Sequence, residues 1–293
     1  MNSKLSIPFV RFLKSLIKEP ADFKLHLKKY FFEKDSLLIT KKHFFLSRPL
    51  TSQNVWEKLC KFYMLLSRPP RILEYGSGIS TFYHLENLKK IGRGELVSIE
   101  HDFKWYLKLR NSFQVIYSSE FSDYTEMVKN TQNKINWSFS INDKKLIFQY
   151  FYRQNQGRTG CGTFEEFKDY VIAPSGKFDV IIIDGRARKA CVQHVLKSQL
   201  LAEDGLLVLF EAGRGHSIWP KKDQMHGTYN YQSEVNALVS LGAELIDGTG
   251  YENWENWKRN RPKHKYFSEF CPMETCFWYK GTNKEKFQNH LHG

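Results

Sequence analysis

At 293 residues, 41% hydrophobic and 26% charged, the chain can bury one substantial core, and no internal repeat or low-complexity tract divides it. A formal charge of +13 favours anionic partners, polyanions among them. Five cysteines (Cys60, Cys161, Cys191, Cys271, Cys276) without a C-x-x-C pair exclude a zinc-ribbon reading and suit reduced thiols in a cytoplasmic protein, although Cys271 and Cys276 would be free to pair in an exported one.

Residues 1–50 form a basic arm, with eleven Lys and Arg against four acids, so it carries seven of the thirteen net charges. At helical spacing Phe9, Phe12, Leu13, Leu16 and Ile17 share one face, with Lys4, Arg11, Lys14 and Lys18 opposite. The apolar run is far shorter than the roughly 20 residues of a membrane span, and its charges argue against a signal peptide. Two readings stand for this helical extension: packing on the domain, which is favoured, or lying peripherally on an anionic membrane surface.

Residues 52–66 then carry helical spacing (Val55, Leu59, Phe62, Leu66) until Pro69-Pro70 stops them. Arg71-Ile-Leu-Glu-Tyr-Gly-Ser-Gly-Ile-Ser80 follows: an apolar strand breaks into a Gly-Ser-Gly turn ahead of a helix over 80–90. Gly76 and Gly78 let the backbone turn and approach a ligand, and Ser80 and Thr81 are suited to cap the helix amides. A dinucleotide fingerprint would place a third glycine where Thr81 stands.

Residues 96–100 make a second apolar strand ending in Glu100, with His101 and Asp102 directly after it. A helix over 104–110 and a short third strand over 114–117 come next. About 60 residues then separate that strand from the following one, where a crossover needs about a dozen, so 118–177 reads as an insertion. Inside it Trp137, Phe139 and Ile141, then Leu146, Phe148, Tyr150 and Tyr152, alternate about a turn at Asn142-Asp143, the pattern of a β-hairpin. Residues 157–162 read as a loop, and Thr163-x-x-Glu166 as a capping box opening a helix to about 172.

Residues 178–184 are apolar on both faces, as in a buried parallel strand, and end in Asp184; residues 205–211 repeat the pattern and end in Glu211. Several buried strands with acids at their carboxyl ends describe an open α/β sheet whose ligands sit along that edge. Three long segments leave it: the insertion, 212–229 and 248–272. The last interleaves Tyr251, Trp254, Trp257 and Tyr266 with Lys258, Arg259, Arg261, Lys263 and Lys265, a composition for stacking on rings and holding anions, or equally for a solvated loop anchored by its aromatics.

With Glu74-x-Gly76-x-Gly78, Glu100 and Asp184-Gly-Arg-Ala-Arg188 in this order, residues 49–281 resemble the class I S-adenosylmethionine (SAM) methyltransferases. A narrower likeness is to the glucuronoxylan 4-O-methyltransferase group, which shows a similar Glu-Tyr-Gly-Ser-Gly turn. The resemblance implies a Rossmann-like α/β fold over 51–293, a mostly parallel seven-stranded sheet with helices on both faces. It also implies SAM as cofactor: Gly76, Ser77 and Gly78 against the methionine part, Glu100 on the ribose, and Asp184 beside the transferable methyl. Glu74, Ser80, Thr81, His101, Asp102 and Gly185 complete the expected cofactor site, with Glu74 alternatively a buried charge satisfied by backbone amides.

Methyl transfer from a sulfonium is an in-line displacement, so the enzyme holds donor and acceptor in line and removes a proton from a hydroxyl nucleophile. Asp184 is the leading base, with His101 and Glu211 behind it; Asp184 with Glu211 would also suit a divalent cation that acidifies the hydroxyl. Arg186, Arg188, His216, Trp254 and Trp257 are the candidates for orienting a small or glycan acceptor, anionic in particular. The rivals are an RNA ribose 2′-O-methyltransferase, a SAM-binding module without turnover and, disfavoured by Thr81, an NAD-linked oxidoreductase. DNA-type Asn/Asp-Pro-Pro-aromatic and Pro-Cys elements are absent from the Asp184 turn.

Overall fold

A computed structural model describes residues 53–117, 121–131, 134–141, 145–155, 163–212, 231–246 and 275–281. The basic arm, the 248–272 segment, His216, Trp254 and Trp257 lie outside the described residues, as do Cys161 and Cys271.

Helix α1 (Gln53–Leu65) buries Val55, Leu59 and Phe62 along one face and ends before the two prolines. Arg68 then donates to Asp179 from Nε (2.7 Å) and Nη2, while Asp179 Oδ2 accepts the Arg71 N–H at 2.9 Å, which ties the start of one strand to another more than a hundred residues away. The elements that follow are β1 (Arg71–Tyr75), α2 (Ile79–Ile91), β2 (Gly94–Glu100), α3 (Phe103–Tyr117), β3 (Phe121–Thr131), β4 (Lys134–Ile141) and β5 (Leu146–Arg153). The second half holds α4 (Lys168–Val171), β6 (Phe178–Ile183), α5 (Arg188–Lys197), β7 (Leu201–Leu209), α6 (Gln232–Ser240), β8 (Glu244–Ile246) and β9 (Thr275–Tyr279).

The strands form one sheet in the order β3-β4-β5-β2-β1-β6-β7-β9-β8. β5, β2, β1, β6 and β7 are mutually parallel, and β9 inserts antiparallel between β7 and β8. Strand side chains alternate between two cores. Ile72, Leu96, Val180, Ile182, Leu206 and Val208 face one; Leu73, Val97, Ile181, Ile183, Leu207 and Leu209 face the other. Burial on both faces is why these strands read as unbroken apolar runs.

The Rossmann-like, mostly parallel α/β sheet with helices on both faces expected from the motifs is therefore the fold observed, with four corrections. Among the described residues the sheet has nine strands, not seven: β3 and β4 extend one edge. The hairpin is real, with Ile141 opposite Leu146 and Lys134 opposite Arg153, but its second strand also pairs parallel with β2, from Gly94↔Leu146 to Glu100↔Tyr152. What reads as an insertion thus contains the third parallel strand of the sheet. Residues 114–117, expected to be that strand, are the last turn of α3: Tyr106, Leu109, Phe113, Ile116 and Tyr117 continue one buried stripe at helical spacing, and Phe113 stacks on Phe82 at 4.2 Å. The capping box forms, with Thr163 Oγ1 3.1 Å from Glu166 Oε2 and accepting the Glu166 N–H at 3.3 Å, but only the single short helix α4 follows it.

Candidate functional site at the carboxyl edge of the sheet

From β1 the chain builds outward through β2 to β5, then returns to build β6 and β7 on the other side. The order reverses between β1 and β6, and at such a point the loops leaving the two strands part and open a crevice at their carboxyl ends. The Gly76–Gly78 turn and the Asp184–Gly185 turn meet there. Gly76 has φ +90°, and a Cβ on it would stand 2.4 Å from Gly185 Cα; a Cβ on Gly185 would stand 2.1 Å from the Tyr170 hydroxyl. These two glycines serve backbone-on-backbone packing. At Gly78, by contrast, a Cβ would meet only Ser80, Oγ at 3.6 Å and N at 4.0 Å, so the side facing the crevice is open.

Behind the turn lies Glu74, fully buried, accepting from Ser80 Oγ (2.5 Å), Thr81 Oγ1 (2.6 Å) and Ser98 Oγ (2.8 Å). Burial pushes its carboxyl up to about 7 in spite of those three bonds. Ser80 and Thr81 both turn inward to this carboxylate; Thr81, fully buried, also accepts the Gly78 N–H at 2.9 Å and so caps the start of α2 as expected, whereas Ser80 serves Glu74. Glu74 is accordingly satisfied by hydroxyls rather than backbone amides. Its neighbour His84, equally buried, has Nε2 3.8 Å from Glu74 Oε1 and Nδ1 2.9 Å from the Tyr63 hydroxyl, and burial lowers its pKa to about 3.

Glu100 ends β2 with 3% of its surface exposed. Oε1 accepts the N–H groups of His101 (2.7 Å) and Asp102 (2.8 Å), while Oε2 accepts Ser77 N–H (3.2 Å) and Ser77 Oγ (2.8 Å). Burial alone would raise its pKa; His101, whose Nδ1 lies 2.9 Å from Oε1, together with the Asp102 N–H and Ser77, outweighs that and holds it below the ordinary carboxylate range. Each oxygen thus already receives two donors. A ribose diol would enter only by displacing one, and the Ser77 hydroxyl has somewhere to go, since it also lies 2.7 Å from the Tyr150 hydroxyl. His101 is part-exposed against Phe167 and Tyr170. Asp102 Oδ1 accepts the Trp105 N–H at 2.8 Å and so caps α3, and Trp105 Nε1 donates to Ser77 O at 2.9 Å.

Across the crevice Asp184 is exposed and Arg186 beside it is exposed too. Arg188, grouped with Arg186 by sequence as a residue to orient the acceptor, is buried instead. Its Nη2 lies 3.1 Å from Asp184 Oδ1 and its Nη1 2.8 Å from Glu211 Oε2 and 3.1 Å from the Tyr231 hydroxyl. Opposed to burial, Tyr231, Glu211 and Asp184 hold its pKa well above the usual guanidinium value. This overturns Asp184 and Glu211 as a metal pair: a guanidinium already stands between the two carboxylates, and a dication there would meet a fixed positive charge. Among the described residues no cluster of three or more His, Cys, Asp and Glu is arranged to hold a metal.

Tyr231, Ser98, Tyr150 and His84 escape sequence reading because their roles depend on contacts across strands. Arg188 had a signal: it stands four residues after Asp184 at the start of a helix, the spacing of a side-chain pair.

No family model matches the chain, and no curated protein does. Solved structures do. The chain is similar to the S-adenosylhomocysteine (SAH)-bound methyltransferase PaMTH1 of Podospora anserina, with 14% identity, a TM-score of 0.45, and 96% of this chain and 100% of that one covered. It is similar to the SAM-bound O-methyltransferase TomG of Streptomyces achromogenes, involved in tomaymycin synthesis (13%, TM-score 0.41, 95% and 92% covered). It is also similar to the spermidine synthase of Thermotoga maritima (15%, TM-score 0.39, 80% and 62% covered). At these identities the likeness is one of fold, and the activities of those proteins remain their own.

Proposed function

We propose that the protein is a SAM-dependent methyltransferase acting on a hydroxyl of a sugar or other small molecule, with an anionic acceptor favoured by its charge. The observation that carries this reading is the open Gly78 turn at the strand-order reversal, flanked by the strand-end carboxylates Glu100 and Asp184. The residues fit the cofactor. The start of α2 points N–H groups and the positive end of its dipole at the crevice, where a methionine carboxylate would gain from both. Glu100, held ionised, is an acceptor for ribose once Ser77 turns to Tyr150.

SAM would supply an electrophilic methyl on a sulfonium. The chain's part is orientation and proton removal: Asp184, exposed at the end of β6, would take the proton that an acceptor hydroxyl loses as the new C–O bond forms. His101, the other candidate base, lies against Glu100, Phe167 and Tyr170 and would act on the cofactor side.

Calorimetry with SAM and with SAH is expected to give one site per chain; the absence of both would end the cofactor assignment. Methyl-labelled SAM incubated with fractionated glycans, RNA and small molecules then identifies the acceptor. Asp184→Asn is expected to cut label transfer by about 100-fold or more while SAH affinity stays within a few-fold, and retained turnover removes its role as base. The formal charge of +13 favours RNA ribose as the second acceptor class, and label appearing in RNA with strongly salt-dependent binding selects it. Binding of SAH with no transfer to any fraction favours the non-catalytic module.

A further inference from the structure

We propose that the Arg188 guanidinium serves as an internal cation in the position a divalent metal would take between Asp184 and Glu211, orienting both strand-end carboxylates so that the site works without metal. The inference deepens the methyltransferase reading and rests on it for the reaction, though not for the charge arrangement. Arg188 is a positioning residue, acting through the carboxylates it holds.

The guanidinium is held from several sides. Nε donates to Gly185 O (3.2 Å), Nη2 to Asp184 O (3.2 Å) and Asp184 Oδ1 (3.1 Å), and Nη1 to the Tyr231 hydroxyl (3.1 Å), while Nη1 also forms an ion pair with Glu211 Oε2 at 2.8 Å. The side chain is 7% exposed. A buried cation is tolerated when it is hydrogen-bonded and its charge is opposed, and each nitrogen donates at least once here while two carboxylates oppose the charge. The anchor points are themselves fixed: the Tyr231 hydroxyl donates to Glu211 O at 2.5 Å, linking the end of β7 to the start of α6.

The backbone adds a second, independent mark. Ala187 and Glu211 are two of the three non-glycine residues with positive φ among the described residues, at +53° and +55°. Left-handed conformations cost such residues on the order of 1 kcal/mol each, and they persist where the surroundings over-determine them. The first places Arg188 at the opening of α5, pointing back at the end of β6; the second belongs to the residue whose carboxylate Arg188 receives. The two strained positions therefore converge on one ion triad. Within this triad two carboxylates oppose one guanidinium, so the cation between them is already provided by the chain.

The test compares the full chain with Arg188→Ala, Arg188→Ala/Glu211→Gln, Arg188→Lys and Asp184→Asn, using Mn²⁺ alone as the probe, followed by electron paramagnetic resonance and calorimetry. Wild type is expected to show no Mn²⁺ site at this edge. Arg188→Ala, which leaves two facing carboxylates without their cation, is expected to bind one Mn²⁺ at least about tenfold more tightly. The added Glu211→Gln should abolish that site, and Arg188→Lys should not form it. A wild-type Mn²⁺ site that Asp184→Asn removes overturns the proposal, as does a folded Arg188→Ala that gains no site. Should Arg188→Ala fail to fold, the wild type and Asp184→Asn decide: a wild type silent to Mn²⁺, with melting unchanged by chelator, supports it. SAH calorimetry on the wild-type sample separates the two ideas, because its failure would sink the methyltransferase reading and leave the Mn²⁺ result standing.

Discussion

Gly76→Ala is expected to lose roughly 3 kcal/mol or more of stability, while Gly78→Ala, two residues on, folds close to wild type and loses ligand affinity. At Gly76 a new Cβ would overlap Gly185 Cα at 2.4 Å and Gly185 N at 2.5 Å, and the backbone sits at φ +90°. The obstruction is backbone rather than the end of a flexible side chain, so relief requires β1 and β6 to part at the ends of their paired register, Tyr75↔Ile183. Against a typical stability of about 5–15 kcal/mol this is a large fraction. Gly78 is extended at φ −171°, which any residue adopts, and its Cβ would enter open space in the crevice. There the expected change is within about 1 kcal/mol of stability, with SAH affinity reduced about tenfold or more by the methyl group standing where a ligand approaches. Denaturant unfolding and SAH calorimetry on both variants check this. A stable Gly76→Ala, or a Gly78→Ala that binds SAH as wild type does, would reverse the assignment of the two glycines.

That division of labour marks how far the sequence is legible. The strands were readable because both their faces are buried, so Phe178-Asp-Val-Ile-Ile-Ile183 shows the same apolar run from either side. Helices α1 and α2 were readable from spacing and stops. Residues 114–117 misled because a short apolar run looks alike as a strand or as a last helical turn, and only packing of Phe113 on Phe82 decides. The hairpin was visible as alternation, but nothing local could say that Leu146–Arg153 also joins β2 in parallel, since pairing partners are a tertiary choice. At the site, the sequence places acids at the carboxyl ends of the strands and cannot say which are already engaged. Glu100 looked like a free acceptor and carries four donors; Arg188 looked like an acceptor-binding cation and is enclosed between carboxylates.

The buried Glu74 and His84 give the second large effect, one that appears only as a difference between proteins. Glu74 keeps its proton up to about pH 7 in the folded chain, whereas an ordinary glutamate loses it near 4.5. Between those values the folded state holds a proton that the unfolded state has released, so this residue makes stability fall as pH rises through the window. His84 does the opposite. It stays neutral down to about pH 3 while an ordinary histidine binds a proton below 6.5, so it makes stability fall as pH drops through that range. From pH 4.5 to 6.5 the two slopes oppose one another, and the wild type conceals both. Glu74→Gln removes the first, so its stability relative to wild type is expected to climb by roughly 1 kcal/mol per pH unit from about 4.5 to 7. His84→Asn is expected to show the opposite trend relative to wild type between pH 3 and 6.5. Urea unfolding across pH for the three proteins reads both slopes. The reason for a neutral pair rather than an ion pair is geometric: Nε2 and Oε1 are 3.8 Å apart, too far to share a proton, and both side chains are fully enclosed, so charging them would cost two desolvations without a hydrogen bond between them. A Glu74→Gln difference that is flat from pH 4.5 to 7 would mean that the pair is ionic, and that the hydroxyls of Ser80, Thr81 and Ser98 hold a carboxylate behind the glycine turn at every pH where the protein is folded.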